Sequence, residues 1–246
     1  MKTLFLEPTN SLKQIELAGF ATSVEKRSPA QRYNAEKAAK ALNGKRVEPG
    51  AIFSFNNTVK SWSWDQGYVK APVSFDGELI KAYGGGVCQT STTLYNAVLL
   101  AGLEIVERHP HVFAPRYVPA GRDAAVAQSS IDMRFRNSLS TPITIYSEIK
   151  GDRIQIRLMG YEKPKMRPEI VGEMLSFSLP ARMTREVSDV SANGRGRRTY
   201  IRNPGAKGYR VMTWRVFSQN GKEIRREFLG DDTYQSMDRL VHRVSN

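Results

Sequence analysis

The spacing of apolar residues along the chain predicts two helices. The first, Ala30–Leu42, follows Ser28-Pro29, a pair suited to a helix cap and a first turn, and it stops at Asn43-Gly44. The second, Thr90–Ala101, repeats its apolar residues at helical spacing and ends at Gly102. Helices therefore account for only a small part of the chain.

Most other apolar segments are short, rich in β-branched and aromatic residues, and bounded by turns, which is typical of strands. The predicted strands are Ala51–Phe55, Tyr68–Val73, Leu103–Glu107, Ile131–Phe135, Ile143–Ile149 and Arg153–Met159. The strongest hairpin signal joins Tyr209–Ser218 to Lys222–Leu229 through Asn220-Gly221. The pattern predicts an α+β fold with a mostly antiparallel sheet, a few helices and a small β-rich C-terminal part.

A change of composition near Gly160 predicts a domain boundary. Tyr161–Pro180 holds three prolines and is interpreted as a connector, and Ser191–Lys207 is interpreted as a loop rich in Gly, Asn and Arg. We expect residues 1–165 to form the α+β domain and residues 166–246 to form a basic subdomain that contains the hairpin.

The charge of the chain indicates a polyanionic partner. Its 246 residues carry a formal net charge of +13, and residues 161–246 hold 17 basic against 10 acidic side chains. Such a balance suits nucleic acid, anionic lipid or an acidic wall polymer. The basic side chains near the C-terminal end (Arg195, Arg197, Arg198, Lys207 and Arg210) are typical of a solvated loop, and the nearby Tyr200, Tyr209 and Trp214 keep nucleic acid open as the least favoured of the three partners.

The chain contains no apolar run long enough to span a membrane. Its start, MKTLFLEPTNSLKQ, also lacks the apolar stretch of a secretory signal. As the chain stands we expect a cytoplasmic protein, or an envelope-associated one if an upstream segment is missing.

The single cysteine, Cys88, excludes an internal disulfide and a cysteine-based zinc cluster. It follows Gly84, Gly85 and Gly86, which allow positive φ and a close approach to a bound group, and it lies where the second helix starts. A helix N-terminus lowers a thiol pKa, and its free amides can hold an oxyanion. The alternative is an inert thiol in the core, the commoner fate of a free cysteine.

The order of residues after Cys88 favours a nucleophile. The helix to Ala101 covers about 20 Å, and a strand returning antiparallel from Leu103 covers about 20–26 Å. That path would bring His109 or His111 back beside the thiol. Asp123 and Asp132 follow as candidates to orient an imidazole. A metal site of Cys88, a histidine and an aspartate stays open, but the spacing matches no usual zinc signature, so we predict no metal and no cofactor.

An aromatic cluster that includes Trp62 and Trp64 precedes the three glycines. Core packing is one interpretation. The other is a platform on which a sugar or peptide stacks beside the site.

Several ordered motifs resemble the VanW-like family, which is linked to vancomycin resistance. They are PGAIFSFN (49–56), GYVKAP (67–72), GGGVCQTSTTLYNA (84–97), GLEIVERHPH (102–111), residues 117–126, and DMRFRN (132–137). Residues 208–234 weakly resemble the hairpin of the five-glycine wall-associated module, with most of its glycines absent. The resemblance implies a bacterial protein linked to the cell envelope and supplies no activity.

The family pattern falls on a defined set of residues in this chain. They are Gly84, Gly85, Gly86, Cys88, Gln89, Ser91, His111, Asp123, Asp132, Arg134 and Asn137. We hypothesise that Cys88 is a nucleophile, His111 its base and Asp123 the orienting carboxylate, with Asp132 in reserve and Gln89 on an oxyanion. The substrate would be a peptide or amide bond of wall material. The alternative is a non-catalytic module that binds peptidoglycan or another wall polymer.

Overall fold

The computed structural model describes residues 13–75, 78–128, 130–162, 164, 166–180, 182–188 and 198–245. The helices are α1 (Pro29–Leu42), α2 (Phe55–Val59) and α3 (Val87–Leu100). The strands of the first part are β1 (Ile15–Ser23), β2 (Lys45–Val47), β3 (Ile52–Ser54), β4 (Lys70–Phe75), β5 (Glu78–Tyr83), β6 (Glu104–Glu107), β7 (Arg134–Arg136), β8 (Ile143–Lys150) and β9 (Arg153–Gly160). The strands of the second part are β10 (Pro168–Ser178), β11 (Arg182–Ser188), β12 (Arg198–Asn203), β13 (Gly208–Gln219), β14 (Lys222–Tyr234) and β15 (Arg239–Ser245).

A four-stranded antiparallel sheet in the order β1-β9-β8-β2 supports both longer helices. Helix α3 packs on β1 and β9, and α1 packs on β8 and on α3. The alternating apolar residues of β8 and β9 are fully buried beneath them, among them Ile145, Ile154 and Ile156. The predicted α+β fold is confirmed, and the second helix does begin within the Gly-Gly-Gly-Val-Cys segment.

Helix α1 shows how the sequence signals act locally. Ser28 accepts a hydrogen bond from the Gln31 backbone, and the Gln31 side chain accepts one from the Ser28 backbone, which completes a capping box. Pro29 occupies the first turn, where its missing N–H costs nothing. The buried alanines on one face, Ala35 and Ala38, let α1 approach α3 closely.

The C-terminal strands form two further sheets, in the orders β10-β13-β14 and β11-β15-β12. The predicted hairpin is present, with Asn220 (φ 53°) and Gly221 (φ 75°) at its turn. The predicted connector over Tyr161–Pro180 is wrong, because β10 pairs with β13. Most β10 side chains are exposed, so this strand depends on ladder hydrogen bonds and gives no alternating apolar signal.

The predicted loop over residues 191–207 is wrong in part, because it contains β12. Residues 191–197, which include Arg195 and Arg197, lie outside the described residues, as do the first twelve residues, where a secretory signal was sought. No helix among the described residues is long and apolar enough to cross a bilayer. The division at residues 165 and 166 stays a prediction.

Candidate active site

The three glycines fix the start of α3 by close contacts within the protein. A Cβ on Gly84 (φ +80°) would lie 2.2 Å from Cδ1 of Trp62, and one on Gly86 (φ +111°) would lie 2.2 Å from the backbone oxygen of Gln31 in α1. At Gly85 the nearest backbone atom would be the Pro72 oxygen, at 2.8 Å. The glycines and Trp62 therefore position the first turn of α3, and with it Cys88.

Replacing Gly86 by alanine is expected to lower the free energy of unfolding by about 2–4 kcal/mol, because the new Cβ combines positive φ with a backbone clash. Urea unfolding would measure the loss. Gly151→Ala is the matched control, since Gly151 also has positive φ (+59°) but open space around it, and it should cost only about 1 kcal/mol. An equal loss in the two variants would contradict the proposed crowding at α3.

A buried polar stripe of α3 holds the segment that carries Asp123. Ser91 Oγ donates to the Ala124 carbonyl oxygen (2.6 Å), and Thr92 Oγ1 accepts from the Ala124 N–H (3.0 Å). One turn later, Asn96 Nδ2 donates to the Arg122 carbonyl oxygen (2.8 Å). Because both flanks of Asp123 are tied to α3, the carboxylate is held in register with the helix start.

Cys88, His111 and Asp123 come together at this end of the helix. Asp123 Oδ2 accepts hydrogen bonds from Nδ1 of His111 (2.6 Å) and from its backbone N–H (2.7 Å). The imidazole lies within electrostatic range of the Cys88 thiol, so the ionisation of each group affects the other. In its neutral state the thiol donates to the Val126 carbonyl oxygen, 3.4 Å away. Cys88 and His111 are partly exposed, whereas Asp123 is fully buried.

The electrostatics of this trio favour a thiolate beside an imidazolium. Burial raises the pKa of Cys88, but the hydrogen bond and charge of His111 outweigh it, so the thiol pKa is lowered. Burial lowers the pKa of His111, but Asp123 and the thiol raise it to about 9. Burial likewise opposes ionisation of Asp123, yet His111 and Arg108 bring its pKa down to about 2. Cys88 therefore meets the electrostatic requirement for a nucleophile near neutral pH.

The C-terminal hairpin helps to hold the Asp123 carboxylate through the oxygen that does not bind His111. Tyr234 at the end of β14 donates its hydroxyl to Asp123 Oδ1 and accepts the Gly121 N–H (2.8 Å). Arg108 donates through Nη2 to Asp123 Oδ1 (3.0 Å) and through Nη1 to both oxygens of Asp232 (2.6 Å). All these side chains are buried. Arg108, Asp232 and Tyr234 were not predicted, because their contacts join the site to β14 across more than a hundred positions and no local sequence signal marks them.

Gln89 is placed beside Cys88 but is committed to other partners. Its amide nitrogen donates to Thr22 Oγ1 (3.1 Å) and to the Ser23 carbonyl oxygen (2.8 Å), while its oxygen accepts from Arg27 Nε (2.7 Å). With both amide hydrogens occupied, the side chain fixes Arg27 to α3. The backbone N–H groups of Val87 and Gln89 already donate to carbonyl oxygens of the glycine turn, so the Cys88 N–H is the first-turn amide left for an oxyanion.

The remaining predicted residues lie apart from this trio. Asp132 accepts from Ser54 Oγ and from the Asn56 N–H (2.9 Å) at the start of α2, so it orders that turn and not the imidazole. Arg134 faces Glu107 at 3.5 Å, and His109 contacts the same carboxylate at 3.2 Å. Among these side chains, Asp132, Glu107 and Arg134 help to line an open cavity of about 360 Å³.

Two predicted binding residues have no contact with the trio. Asn137 is buried and donates to the Val47 and Thr141 carbonyl oxygens, which closes the turn after β7. Trp64 is 74% exposed, unlike Trp62, which packs against the core and the glycine turn. Within the described ranges, no group of three or more His, Cys, Asp or Glu side chains could hold a metal ion.

Fold and site together define a class: an α+β protein in which a thiol at the start of a helix lies beside an imidazole that is hydrogen-bonded to a buried carboxylate. The sequence model of the family described as "VanW like protein" matches residues 30–159. The chain belongs to this family.

Two curated relatives are similar to the chain. It is 39% identical over 143 residues to the uncharacterised protein YoaR of Bacillus subtilis (strain 168), across 58% of this chain and 47% of that protein. It is 28% identical over 150 residues to the vancomycin B-type resistance protein VanW of Enterococcus faecalis (strain ATCC 700802 / V583), across 59% of this chain and 54% of that protein. The chain thus spans about half the length of the curated relatives it matches.

Two solved G5 domains also match about a third of the chain. They are HP0197-G5, at 18% identity and a TM-score of 0.16, and the G5 domain of IgA1 protease, at 20% identity and a TM-score of 0.18. Each match covers 32% of this chain, with 93% of the first structure and 94% of the second.

Proposed function

We propose that this protein is a cysteine-dependent hydrolase or transferase that acts on peptide or amide bonds of bacterial wall material in the cell envelope. The observation that carries the proposal is the hydrogen-bonded Asp123–His111 pair, which lowers the pKa of the thiol at the start of α3. Membership of a family that includes a vancomycin-resistance protein supports the choice of wall material.

The site supplies each group that acyl transfer requires. The Cys88 thiolate attacks the carbonyl carbon, and the negative charge moves to the carbonyl oxygen, which the backbone N–H of Cys88 at the start of α3 stabilises. The C–N bond then breaks as the His111 imidazolium gives its proton to the leaving amine, which leaves a thioester on Cys88. Water or a second amine attacks the thioester, neutral His111 takes its proton, and the thiolate is released.

The pH dependence of Cys88 alkylation tests the thiolate. The protein contains no other cysteine, so carbamidomethylation by iodoacetamide reports on Cys88 alone. Because His111 lowers the pKa of the thiol, the rate should reach its plateau at a lower pH than the rate of an unperturbed thiol. At pH 6.5 we expect a rate about tenfold or more above that of the urea-unfolded chain.

His111→Gln should shift the midpoint of this pH profile upward, because the strongest effects that lower the thiol pKa come from His111 while burial continues to raise it. His109→Gln is the matched control, since His109 contacts Glu107 and not the thiol. If the midpoint of the unmodified protein equals that of the unfolded chain, the Cys88 thiol is not activated and this part of the proposal is wrong.

Turnover distinguishes catalysis from binding. Purified peptidoglycan peptides would be incubated with the protein and with Cys88→Ala, and the products identified by mass spectrometry. New hydrolysis or transfer products that vanish in Cys88→Ala support the enzyme. Retention of both variants on peptidoglycan with no products would instead support the wall-binding module.

A further inference from the structure

Arg27 is held in a fixed orientation at the start of α3, within electrostatic range of the Cys88 thiol. It precedes the cap of α1, and its Nε donates to Gln89 Oε1 at 2.7 Å. The buried Gln89 amide is itself held by Thr22 and Ser23 of β1. On its flat face, the guanidinium carbon stands 4.9 Å from the centre of the Tyr117 ring. One edge and one face of the guanidinium are thereby committed to the protein.

The opposite edge of this guanidinium has no acidic partner among the described residues. No described carboxylate forms an ion pair with Arg27, and in the described part of the chain no hydrogen bond from its Nη atoms accompanies the one from Nε. The side chain is half-buried, and its burial lowers the pKa of Arg27 while the charges of Tyr117 and Cys88 raise it. A partly desolvated cation without a hydrogen-bonded carboxylate partner is costly, and a rigid arginine fork matches a carboxylate in a bidentate manner.

We propose that the free Nη edge of Arg27 binds a carboxylate of the substrate beside Cys88. The site would then take an acyl donor or acceptor that carries a free carboxylate close to the reacting bond. This inference rests on the proposed function, because it assigns a substrate class to the same thiol. Gln89 and Tyr117 act in it as positioning residues, which hold the guanidinium in place.

Two alkylating reagents of nearly equal size test this proposal. Iodoacetamide is neutral and iodoacetate carries a carboxylate, and in both reactions the Cys88 thiolate displaces iodide from the same carbon. Rates would be measured at pH 7 and constant ionic strength, and expressed as the ratio of iodoacetate to iodoacetamide. We expect this ratio to be about tenfold higher in the unmodified protein than in Arg27→Gln, with saturation kinetics for iodoacetate only.

Controls separate a bound carboxylate from a general effect of charge. Lys26→Gln removes the same charge from the neighbouring exposed residue, and it should leave the ratio unchanged. Arg27→Lys keeps the positive charge but loses the planar fork of the guanidinium. Its ratio of iodoacetate to iodoacetamide rates should therefore fall most of the way to the ratio of Arg27→Gln. In the unmodified protein, acetate should slow the iodoacetate reaction competitively, whereas acetamide should not. This competition needs no variant to fold.

The outcomes that would overturn the proposal are distinct. If Arg27→Gln slows both reagents equally, Arg27 stabilises the thiolate alone, and the carboxylate site is wrong while the proposed function stands. Absence of competition by acetate in the unmodified protein has the same meaning. If iodoacetamide reacts with Cys88 no faster than with the unfolded chain, the activated thiol and the carboxylate site are both wrong.

Discussion

Replacing Arg108 by methionine is expected to lower the free energy of unfolding by about 3–5 kcal/mol. Arg108 is the cation between the carboxylates of Asp123 and Asp232, and all three side chains are at most 6% exposed. Without the guanidinium, the buried Asp232 has lost its ion-pair partner, and Asp123 keeps only His111 as a cationic partner. The shift in urea midpoint, followed by tryptophan fluorescence at neutral pH, measures the loss.

An ion pair on the surface of the C-terminal hairpin provides the control. Arg210 on β13 pairs with Asp231 at 2.8 Å, but both side chains are open to solvent. Arg210→Met should therefore cost no more than about 1 kcal/mol. Adding Asp232→Asn to Arg108→Met should recover part of the lost free energy of unfolding, because it removes the buried carboxylate that no longer has the guanidinium as its partner. Equal midpoints for Arg108→Met and Arg210→Met would contradict the buried network.

This network makes the C-terminal hairpin a structural part of the candidate site. The oxygen of Asp123 that faces away from His111 is bound by Tyr234 of β14 and by Arg108. A carboxylate held on both oxygens cannot rotate away from the imidazole. The hairpin thus positions Asp123, which in turn orients His111 towards the thiol.

Local sequence signals were enough to predict those elements whose formation depends on residues close to one another in the chain. The capping pair Ser28-Pro29 set the start of α1, and Asn220-Gly221 set the turn of the hairpin, because both act through backbone geometry within four residues. Strand β10 could not be predicted, because its exposed side chains carry no alternation and its partner strand begins thirty positions after β10 ends.

The candidate site could likewise be predicted only in part from the sequence. Cys88 after three glycines, and a histidine one helix and one strand later, follow from chain order and element lengths. The choice between Asp123 and Asp132 depends on tertiary contacts, because both follow His111 at plausible distances along the chain. The structure places Asp123 on His111 and uses Asp132 at the start of α2.

Asp123→Asn is expected to lower the rate of Cys88 carbamidomethylation at pH 6.5 by at least about tenfold. The Asp123 carboxylate holds Nδ1–H of the imidazole and raises the pKa of His111 to about 9. With a neutral amide in its place, the imidazolium loses its counter-ion and the His111 pKa falls. The Cys88 thiolate then loses the imidazolium charge beside it, so a smaller fraction of the thiol is ionised at pH 6.5 than in the unmodified protein. Stopped-flow alkylation and the pH midpoint of the rate measure this change.

Asp132→Asn is the matched control, since it makes the same substitution at the other aspartate and leaves the His111 contacts intact. Its alkylation rate should equal that of the unmodified protein. Because Asp123 is also buried against Arg108, circular dichroism must show that Asp123→Asn is folded at the temperature used. If it is not, Tyr234→Phe removes one hydrogen bond to the same carboxylate and keeps its charge, so it should lower the rate less steeply. A folded Asp123→Asn with an unchanged midpoint would mean that His111 needs no carboxylate to sustain the thiolate.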